Sequence, residues 1–221
     1  MKRGAGLKSD SKEPFRSKRN KVILHNGMVE KHFTSAKNAA FEASMLERLY
    51  AAGARVPRLV TREKAVLKME YISGETIPDF LTHMEYCPDE LTLYKAADNI
   101  IAWLGDFYCA VNTEKTGEIR GDVNGRNFIW DGGQCWGVDF EERATGTKEQ
   151  DIGRLIAYVL SYDPPGTPVK NKLADRLLQN AVSKLGVDFK TVLQVRDREF
   201  IAMQARRDIK KEDNVKRTFV S

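Results

Sequence analysis

The chain has 221 residues, of which 42% are hydrophobic, and a formal net charge of +5. This length suits one large domain or two small lobes, and the apolar fraction is sufficient for a core. No segment approaches the roughly 18 apolar residues that span a membrane, and polar residues follow the start where a secretion signal would have an apolar segment. The three cysteines are an odd number without metal-binding spacing, so we expect a cytoplasmic protein with no disulfide framework.

The first third of the chain has the pattern of an antiparallel sheet. Lys21–Leu24 and Met28–Phe33 are strand patterns, and the Asn26-Gly27 pair between them is a strong hairpin signal. Val56–Val60 and Ala65–Met69 are two further strand patterns, joined by a polar segment.

A helix is predicted between these two pairs of strands. Thr34 or Ser35 can cap its start, and Gly53 marks its end. An apolar stripe repeats along it at helical spacing: Phe41, Met45, Leu49 and Ala52.

The second part of the chain is mainly helical in pattern. Helices are predicted over Pro88–Val111, from about Glu149, over about Val169–Leu185 and over about Asp188–Ile209. The stripe of the first of these helices indicates core packing: Leu91, Tyr94, Ala97, Ile101, Leu104, Phe107 and Tyr108.

The most informative polar residues lie between these helices. Asp122 and Asn127 stand five positions apart on a predicted loop, and Asp139-Phe140-Glu141 follows. The residues between them indicate a hairpin, which returns its second strand beside its first and brings Asp139 near Asn127. Mg²⁺ prefers oxygen ligands of these two types, which leaves Asp122 free to act as a base. Phosphoryl transfer from ATP requires such a set, because its catalysis is mostly positioning and charge neutralisation.

These residues resemble the motifs of a known superfamily. Arg120-Gly121-Asp122 with Asn127 resembles the His-Gly-Asp-x-x-x-x-Asn loop of the aminoglycoside phosphotransferase and choline kinase-like branch of the protein-kinase-like superfamily. Asp139-Phe140-Glu141 resembles its metal-binding Asp-Phe-Glu. The resemblance implies that Asp122 is the catalytic base and that Asn127 and Asp139 bind magnesium. Arg120 departs from the motif, which has His at this position.

The resemblance also implies an α+β fold of two lobes. Residues 1–71 would form a small antiparallel-sheet N-lobe that binds nucleotide, and residues 72–221 a mainly helical C-lobe. Lys31 would contact the α- and β-phosphates of ATP, held by a carboxylate from the first helix. Glu42 is the natural partner and Glu47 the competing one. Without the catalytic-loop motif that follows, Lys31 and Glu42 would be interpreted as ordinary surface charges.

Other parts of the nucleotide site are less visible in the sequence. Glu70 C=O and Ile72 N–H would contact adenine at a hinge between the lobes. The family's Gly-x-Gly-x-x-Gly is absent; the chain has only Gly4 and Gly6 near its start, so either backbone N–H groups of Ser9–Ser11 cover the phosphates or these residues are disordered.

Asp151 resembles the aspartate that anchors the catalytic loop from behind, although an acid at a helix start is also favoured by the helix dipole. Only eleven residues separate it from Asp139. A regulated protein kinase has a long activation segment there, so this spacing argues against a conventional signalling kinase.

The charge of the chain is uneven. Residues 72–170 contain 17 acidic and 8 basic residues, a net of −9, and the remainder contains 14 acidic and 28 basic residues, a net of +14. An acidic cleft would favour a cationic acceptor such as an amino sugar, an amino alcohol or a basic peptide; the alternative is that these acids are solvated helix faces. The basic stretches at Lys2–Lys21 and Arg206–Arg217 are either solvated or contact nucleic acid or an acidic partner.

Three functional hypotheses follow. The first is an ATP- and Mg²⁺-dependent phosphotransferase that acts on a small hydroxylated acceptor, with a cationic acceptor as a candidate. The second is a minimal serine/threonine protein kinase or ATPase that resembles the RIO kinases or the kinase subunit of the tRNA threonylcarbamoylation assembly. The third is a nucleotide-binding pseudokinase scaffold.

Overall fold

The computed structural model describes residues 13–15, 20–142 and 144–218. The expected contribution of Gly4, Gly6 and Ser9–Ser11 to a nucleotide loop lies outside these residues. A small antiparallel sheet is followed by a mainly helical region, which confirms the α+β class. The division into lobes at residues 71 and 72 stays a prediction.

Five antiparallel strands form the first half, with one helix between the third and fourth. They are β1 (Glu13–Phe15), β2 (Lys21–His25), β3 (Met28–His32), α1 (Ala36–Ala51), β4 (Leu59–Glu63) and β5 (Val66–Glu70). The strand order is β1-β2-β3-β5-β4. The β2–β3 hairpin turns at Asn26 and Gly27, whose φ angles of 51° and 72° are those that an Asn-Gly hairpin turn requires.

The position of β4 corrects one prediction. β4 begins at Leu59 and includes the polar residues that the sequence predicts in the connecting turn. The turn lies instead near Lys64, whose φ is 50°. Pro57 has no N–H for a strand ladder and precedes the strand. Because β4 lies at the edge of the sheet, its polar side chains remain exposed to water.

Within the described residues the second half contains six α-helices, a 3₁₀ turn (Gly125–Asn127), a π-helical turn (Ala181–Leu185) and short strands. The α-helices and strands are β6 (Glu75–Thr76), α2 (Ile77–Tyr86), α3 (Glu90–Val111), α4 (Thr113–Thr116), β7 (Glu118–Ile119), β8 (Phe128–Trp130), β9 (Cys135–Gly137), β10 (Ala144–Thr145), α5 (Lys148–Ser161), α6 (Pro168–Asn180) and α7 (Phe189–Thr218). The strands form a three-stranded sheet, β6-β8-β9, and the pair β7-β10. The predicted β8–β9 hairpin is therefore present. No helix among the described residues is long and apolar enough to cross a membrane.

The buried face of α3 differs slightly from the predicted stripe. Leu91 is 65% exposed, whereas Leu93 and Ala96 are buried. The helix begins at Glu90 with Asp89 as its N-cap, so the first apolar residue of the pattern lies on the outer side of the first turn. From Ala97 onwards the predicted core positions are buried.

Trp103 of α3 joins the two halves of the molecule. Its Nε1 donates to the Arg55 carbonyl at 2.8 Å, and the Gly137 N–H donates to the same oxygen at 3.0 Å. The indole ring packs on Phe128 and Phe140, with ring centroids 5.3 and 6.2 Å away. The loop after α1 is thus fixed to the β8–β9 hairpin that carries the polar motif.

This contact leaves no space for a side chain at Gly137, since a Cβ there would lie 2.0 Å from the Trp103 ring. We expect Gly137→Ala to lower the free energy of unfolding by about 1–3 kcal/mol through overpacking, measured by urea denaturation. Gly133→Ala in the same hairpin is the control, because its Cβ would meet its nearest atom at 3.7 Å. Equal effects of the two substitutions would show that the Trp103 contact does not restrict this position.

Candidate functional site

Lys31 lies at the centre of the site. Its side chain projects from β3, and its Nζ lies 2.7 Å from Glu42 of α1 and 2.7 Å from Asp139, which follows β9. Glu141 Oε1 is 3.2 Å from the same nitrogen. Lys31 is only 6% exposed. The structure therefore brings together the predicted lysine, glutamate and aspartate, two of them 108 positions apart in the chain.

The orientation of α1 selects Glu42 over Glu47. Glu42 is buried with Ala43 and Leu46, and Glu47 is exposed. The predicted apolar stripe lies slightly off the buried face of α1, as the exposed Ala52 at its end shows.

The charges in this cluster depend on one another. Burial alone would lower the pKa of Lys31, but the carboxylates of Glu42 and Asp139 outweigh burial and raise it. Burial likewise favours the neutral form of Asp139, yet the Lys31 charge lowers the pKa of that carboxyl. Burial raises the pKa of Glu42, and the neighbouring Asp139 charge adds to this effect. The Lys31 ammonium group thus pairs with several carboxylates and remains charged.

Asp139 has an unusual backbone conformation that Arg120 supports. Its φ is +66°, in the left-handed region, where aspartate is among the better tolerated residues. The buried Arg120 guanidinium donates from Nη2 to the carbonyls of Val138 and Asp139 at 2.7 and 2.6 Å, and it lies over the Phe140 ring at 4.5 Å. The arginine that departs from the family motif therefore holds the backbone on both sides of the Asp139 Cα.

Asp151 anchors the loop from behind, as its resemblance implied. Its carboxylate, on α5, accepts from the N–H groups of Arg120 and Gly121 at 2.8 and 2.9 Å. The Tyr108 hydroxyl donates to it at 3.0 Å. The carboxyl is fully buried, and burial raises its pKa against these three hydrogen bonds. These contacts fix the backbone immediately before Asp122.

The loop presents Asp122 and Asn127 differently. Asp122 is exposed, with one carboxylate oxygen accepting from the Asn124 N–H at 3.2 Å. Asn127 is buried at the end of a 3₁₀ turn, and its Nδ2 donates to the Asp122 carbonyl at 3.2 Å. The Val138 N–H donates to the Asn127 carbonyl at 2.9 Å, so the hairpin brings Asn127 alongside the residue that precedes Asp139.

The chemistry of the donor set fits a divalent cation. Oxygen atoms of Glu42, Asp139 and Glu141 lie within 4.8 Å of one another, and the backbone of Asn127 is hydrogen-bonded to that of Val138, the residue before Asp139. Carboxylate and amide oxygens are the ligands that Mg²⁺ prefers.

Sequence reasoning did not assign roles to Glu141 and Asn20. Asn20 Nδ2 donates to Glu141 Oε1 at 2.6 Å, across 121 positions of the chain. The Asp-x-Glu spacing was a signal for Glu141, whereas no local pattern marks Asn20.

The expected hinge follows β5. The Glu70 N–H donates to the Arg58 carbonyl at 3.0 Å, and Ile72 is buried in the connection to β6. This location, between β5 and the helical region, suits a hinge between two lobes. Adenine binding by Glu70 and Ile72 stays a prediction.

Solved structures define the class of fold. The aminoglycoside phosphotransferase APH(2'')-Ib bound to ADP is similar with a TM-score of 0.58 at 13% identity, covering 78% of this chain and 79% of that one. The streptomycin–ATP–APH(2'')-IIa ternary complex is similar with a TM-score of 0.60 at 12% identity, covering 87% and 83%. A choline/ethanolamine kinase family protein from Mesorhizobium loti has a TM-score of 0.48 at 16% identity, covering 89% and 88%. The two phosphotransferase likenesses confirm a protein-kinase-like fold.

The sequence places the chain within this class. Residues 9–156 match the family model of the RIO domain, and the chain belongs to that family. No curated protein matches it in sequence. The predicted superfamily is thus confirmed.

Arg120→Ala tests the support of Asp139. Loss of the guanidinium would leave two carbonyls without their charged donor and remove the contact with Phe140, so we expect the free energy of unfolding to fall by about 2–4 kcal/mol. Arg62→Ala, on the exposed face of the edge strand β4, should change it by less than about 0.5 kcal/mol. Similar small losses for both variants in chemical denaturation would contradict the proposed support.

Proposed function

We propose that this RIO-domain chain is an ATP-dependent phosphotransferase that transfers the γ-phosphate to a hydroxyl group of a small acceptor. The observation that supports this most strongly is the convergence of Lys31, Glu42 and Asp139 at 2.7 Å contacts, beside an exposed Asp122. A buried lysine costs free energy unless its charge is paired. Its retention at this place is explained if the cation also binds phosphate.

Each residue has a role in this proposal. Lys31, positioned by Glu42, binds the α- and β-phosphates of ATP, and the backbone of Glu70 and Ile72 binds adenine. Asn127 and Asp139 hold Mg²⁺, which when bound neutralises phosphate charge. The neighbouring phosphotransferase structures contain ADP and ATP, which supports the nucleotide but not the acceptor.

Asp122 is the proposed base. Its carboxylate accepts the proton of the acceptor hydroxyl while that oxygen bonds to the γ-phosphorus and the bond between the γ-phosphorus and ADP breaks. Exposure of Asp122 suits this role, because the acceptor must reach it from solvent. The hydrogen bonds that the Asp151 carboxylate accepts from the preceding backbone N–H groups hold the loop in place for this transfer.

The second candidate is a minimal serine/threonine protein kinase or ATPase of the RIO or tRNA-threonylcarbamoylation type. The family match favours it. The short connection after Asp139 also favours this candidate, since β10 pairs directly with β7 and α5 begins at Lys148. A pseudokinase scaffold is the third candidate, and the presence of Lys31, Asp122, Asn127 and Asp139 argues against it.

Asp122→Asn separates chemistry from binding. We expect this variant to lose about 10²–10⁴-fold in the rate of phosphate transfer, the usual contribution of a general base, while calorimetry shows Mg-ATP affinity nearly unchanged. Transfer is measured with labelled ATP on a panel of metabolites, amino sugars and basic proteins.

Asp106→Asn is a matched control, an aspartate on α3 for which we propose no role. Unchanged turnover in Asp122→Asn would remove this residue from the role of base. Hydrolysis of ATP without transfer to any acceptor would favour the ATPase hypothesis. If the protein binds no nucleotide, the hypothesis of a nucleotide-binding scaffold would also be wrong.

A further inference from the structure

Tyr162 contacts the middle of the loop of residues 122–127. It is the C-cap residue that follows α5, and its ring packs against the hydrophobic core. Its hydroxyl accepts from the Gly125 N–H at 2.8 Å and donates to Asn124 Oδ1 at 3.1 Å. One phenol group therefore binds two successive residues of the loop, 37 and 38 positions away in the chain.

Asn124 connects this contact to the proposed base. Its Oδ1, which accepts from Tyr162, also accepts from the Arg126 N–H at 3.1 Å. Its backbone N–H donates to a carboxylate oxygen of Asp122 at 3.2 Å, and its carbonyl accepts from the Asn127 N–H at 2.9 Å. Among the described residues, the bond from Asn124 is the one hydrogen bond that the Asp122 carboxylate accepts. The orientation of that carboxylate therefore depends on the position of Asn124.

The loop packs closely against Tyr162 at Gly125. A Cβ at this glycine would lie 2.8 Å from the tyrosine hydroxyl, 3.2 Å from Ile77 Cβ and 3.3 Å from Pro78 Cδ. Gly125 is thus buried between the residue that follows α5 and the start of α2. No larger residue fits there unless its neighbours move, so the tyrosine and α2 together determine where the loop lies.

Helix α5 and its C-cap residue hold the loop at two places. Asp151, in the first turn of α5, accepts from the N–H groups immediately before Asp122. Tyr162, at the other end, binds the residues that follow Asp122. Burial raises the pKa of the Tyr162 phenol, so the hydroxyl stays protonated near neutral pH and can donate to Asn124.

We propose that Tyr162 is a positioning residue of the phosphate transfer, whose hydroxyl fixes Asn124 and thereby orients the Asp122 carboxylate toward the acceptor. This inference rests on the proposed phosphotransferase function and deepens it. Within the described part of the chain, Tyr162 forms no hydrogen bond with Lys31 or Asp139. Its hydroxyl therefore serves the chemical step and not the binding of nucleotide.

Tyr162→Phe removes the hydroxyl and keeps the ring. We expect kcat for phosphate transfer to fall about 10–100-fold, since a small misplacement of a reacting group can cost about 10²-fold. Calorimetry should show Mg-ATP affinity nearly unchanged, and urea denaturation should show that the variant still unfolds cooperatively. Transfer is measured with labelled ATP and the best acceptor of the panel described above. Tyr86→Phe is the matched control and should keep the wild-type rate, because Tyr86 is 82% exposed and we propose no role for it.

A double-mutant cycle with Asp122→Asn distinguishes positioning from a general structural role. If the tyrosine acts through Asp122, Tyr162→Phe lowers the transfer rate much less in the Asp122→Asn variant than in the wild type. A structural role independent of Asp122 would give the same fold loss in both backgrounds. Equal losses would therefore overturn the proposal.

Amide hydrogen exchange, followed by NMR, tests the contact without turnover. In Tyr162→Phe we expect exchange of the Gly125 N–H to accelerate at least about tenfold, because it loses its hydrogen-bond acceptor. The N–H groups of Arg120 and Gly121, which donate to Asp151, should keep their protection.

Gly125→Ala tests the same contact from the side of the loop. Its Cβ would displace the loop from Tyr162, so we expect slower transfer with Mg-ATP affinity retained. Gly133→Ala is the control, because its Cβ would meet its nearest atom at 3.7 Å. Equal transfer rates in these two variants would count against the proposal.

Unchanged exchange at Gly125 in Tyr162→Phe, or faster exchange with no loss of transfer, would overturn the role of Tyr162. A wild-type protein that transfers phosphate to no acceptor would instead count against the proposed function, whatever the exchange rate at Gly125. The two failures are therefore distinguishable.

Discussion

The buried ammonium of Lys31 is the constraint on which the rest of the site depends. A lysine that is 6% exposed must be paired, and its partners come from α1 and from the segment after β9. The pairing therefore fixes the helix, the sheet and the polar hairpin relative to one another. Phosphate oxygens carry the same kind of charge as these carboxylates, so the same lysine can bind a nucleotide while Glu42 holds it in place.

A second constraint is the backbone around the proposed catalytic loop. Asp151 fixes the residues before Asp122, and Arg120 fixes the residues on either side of Asp139. Both are buried, and both act on backbone groups. With a short connection from Asp139 to α5, these contacts leave little to be ordered by phosphorylation. The geometry suits an enzyme whose site is formed permanently, in contrast to one switched by an activation segment.

Much of this arrangement could be predicted from the sequence, because the informative patterns are local. The Asn26-Gly27 turn, the hairpin before Asp139 and the helix stripes each depend on neighbouring residues. The edge strand β4 was misplaced, since an exposed strand tolerates polar residues and lacks an alternating pattern. The pairing of Asn20 with Glu141 and the packing of α7 against α5 were missed, because they join separate segments through tertiary packing alone.

The central claim is that Glu42 acts by holding Lys31 on the phosphates of ATP. A double-mutant cycle of Lys31→Met and Glu42→Gln on Mg-ATP affinity, measured by calorimetry on variants that still unfold cooperatively, tests it most directly. The account predicts that each single change weakens binding and that the double variant is little worse than Lys31→Met. This corresponds to a coupling of about 0.5–3 kcal/mol, whereas the same cycle with the exposed Glu47 shows none. Additive losses for Glu42, or coupling to Glu47, would contradict the account.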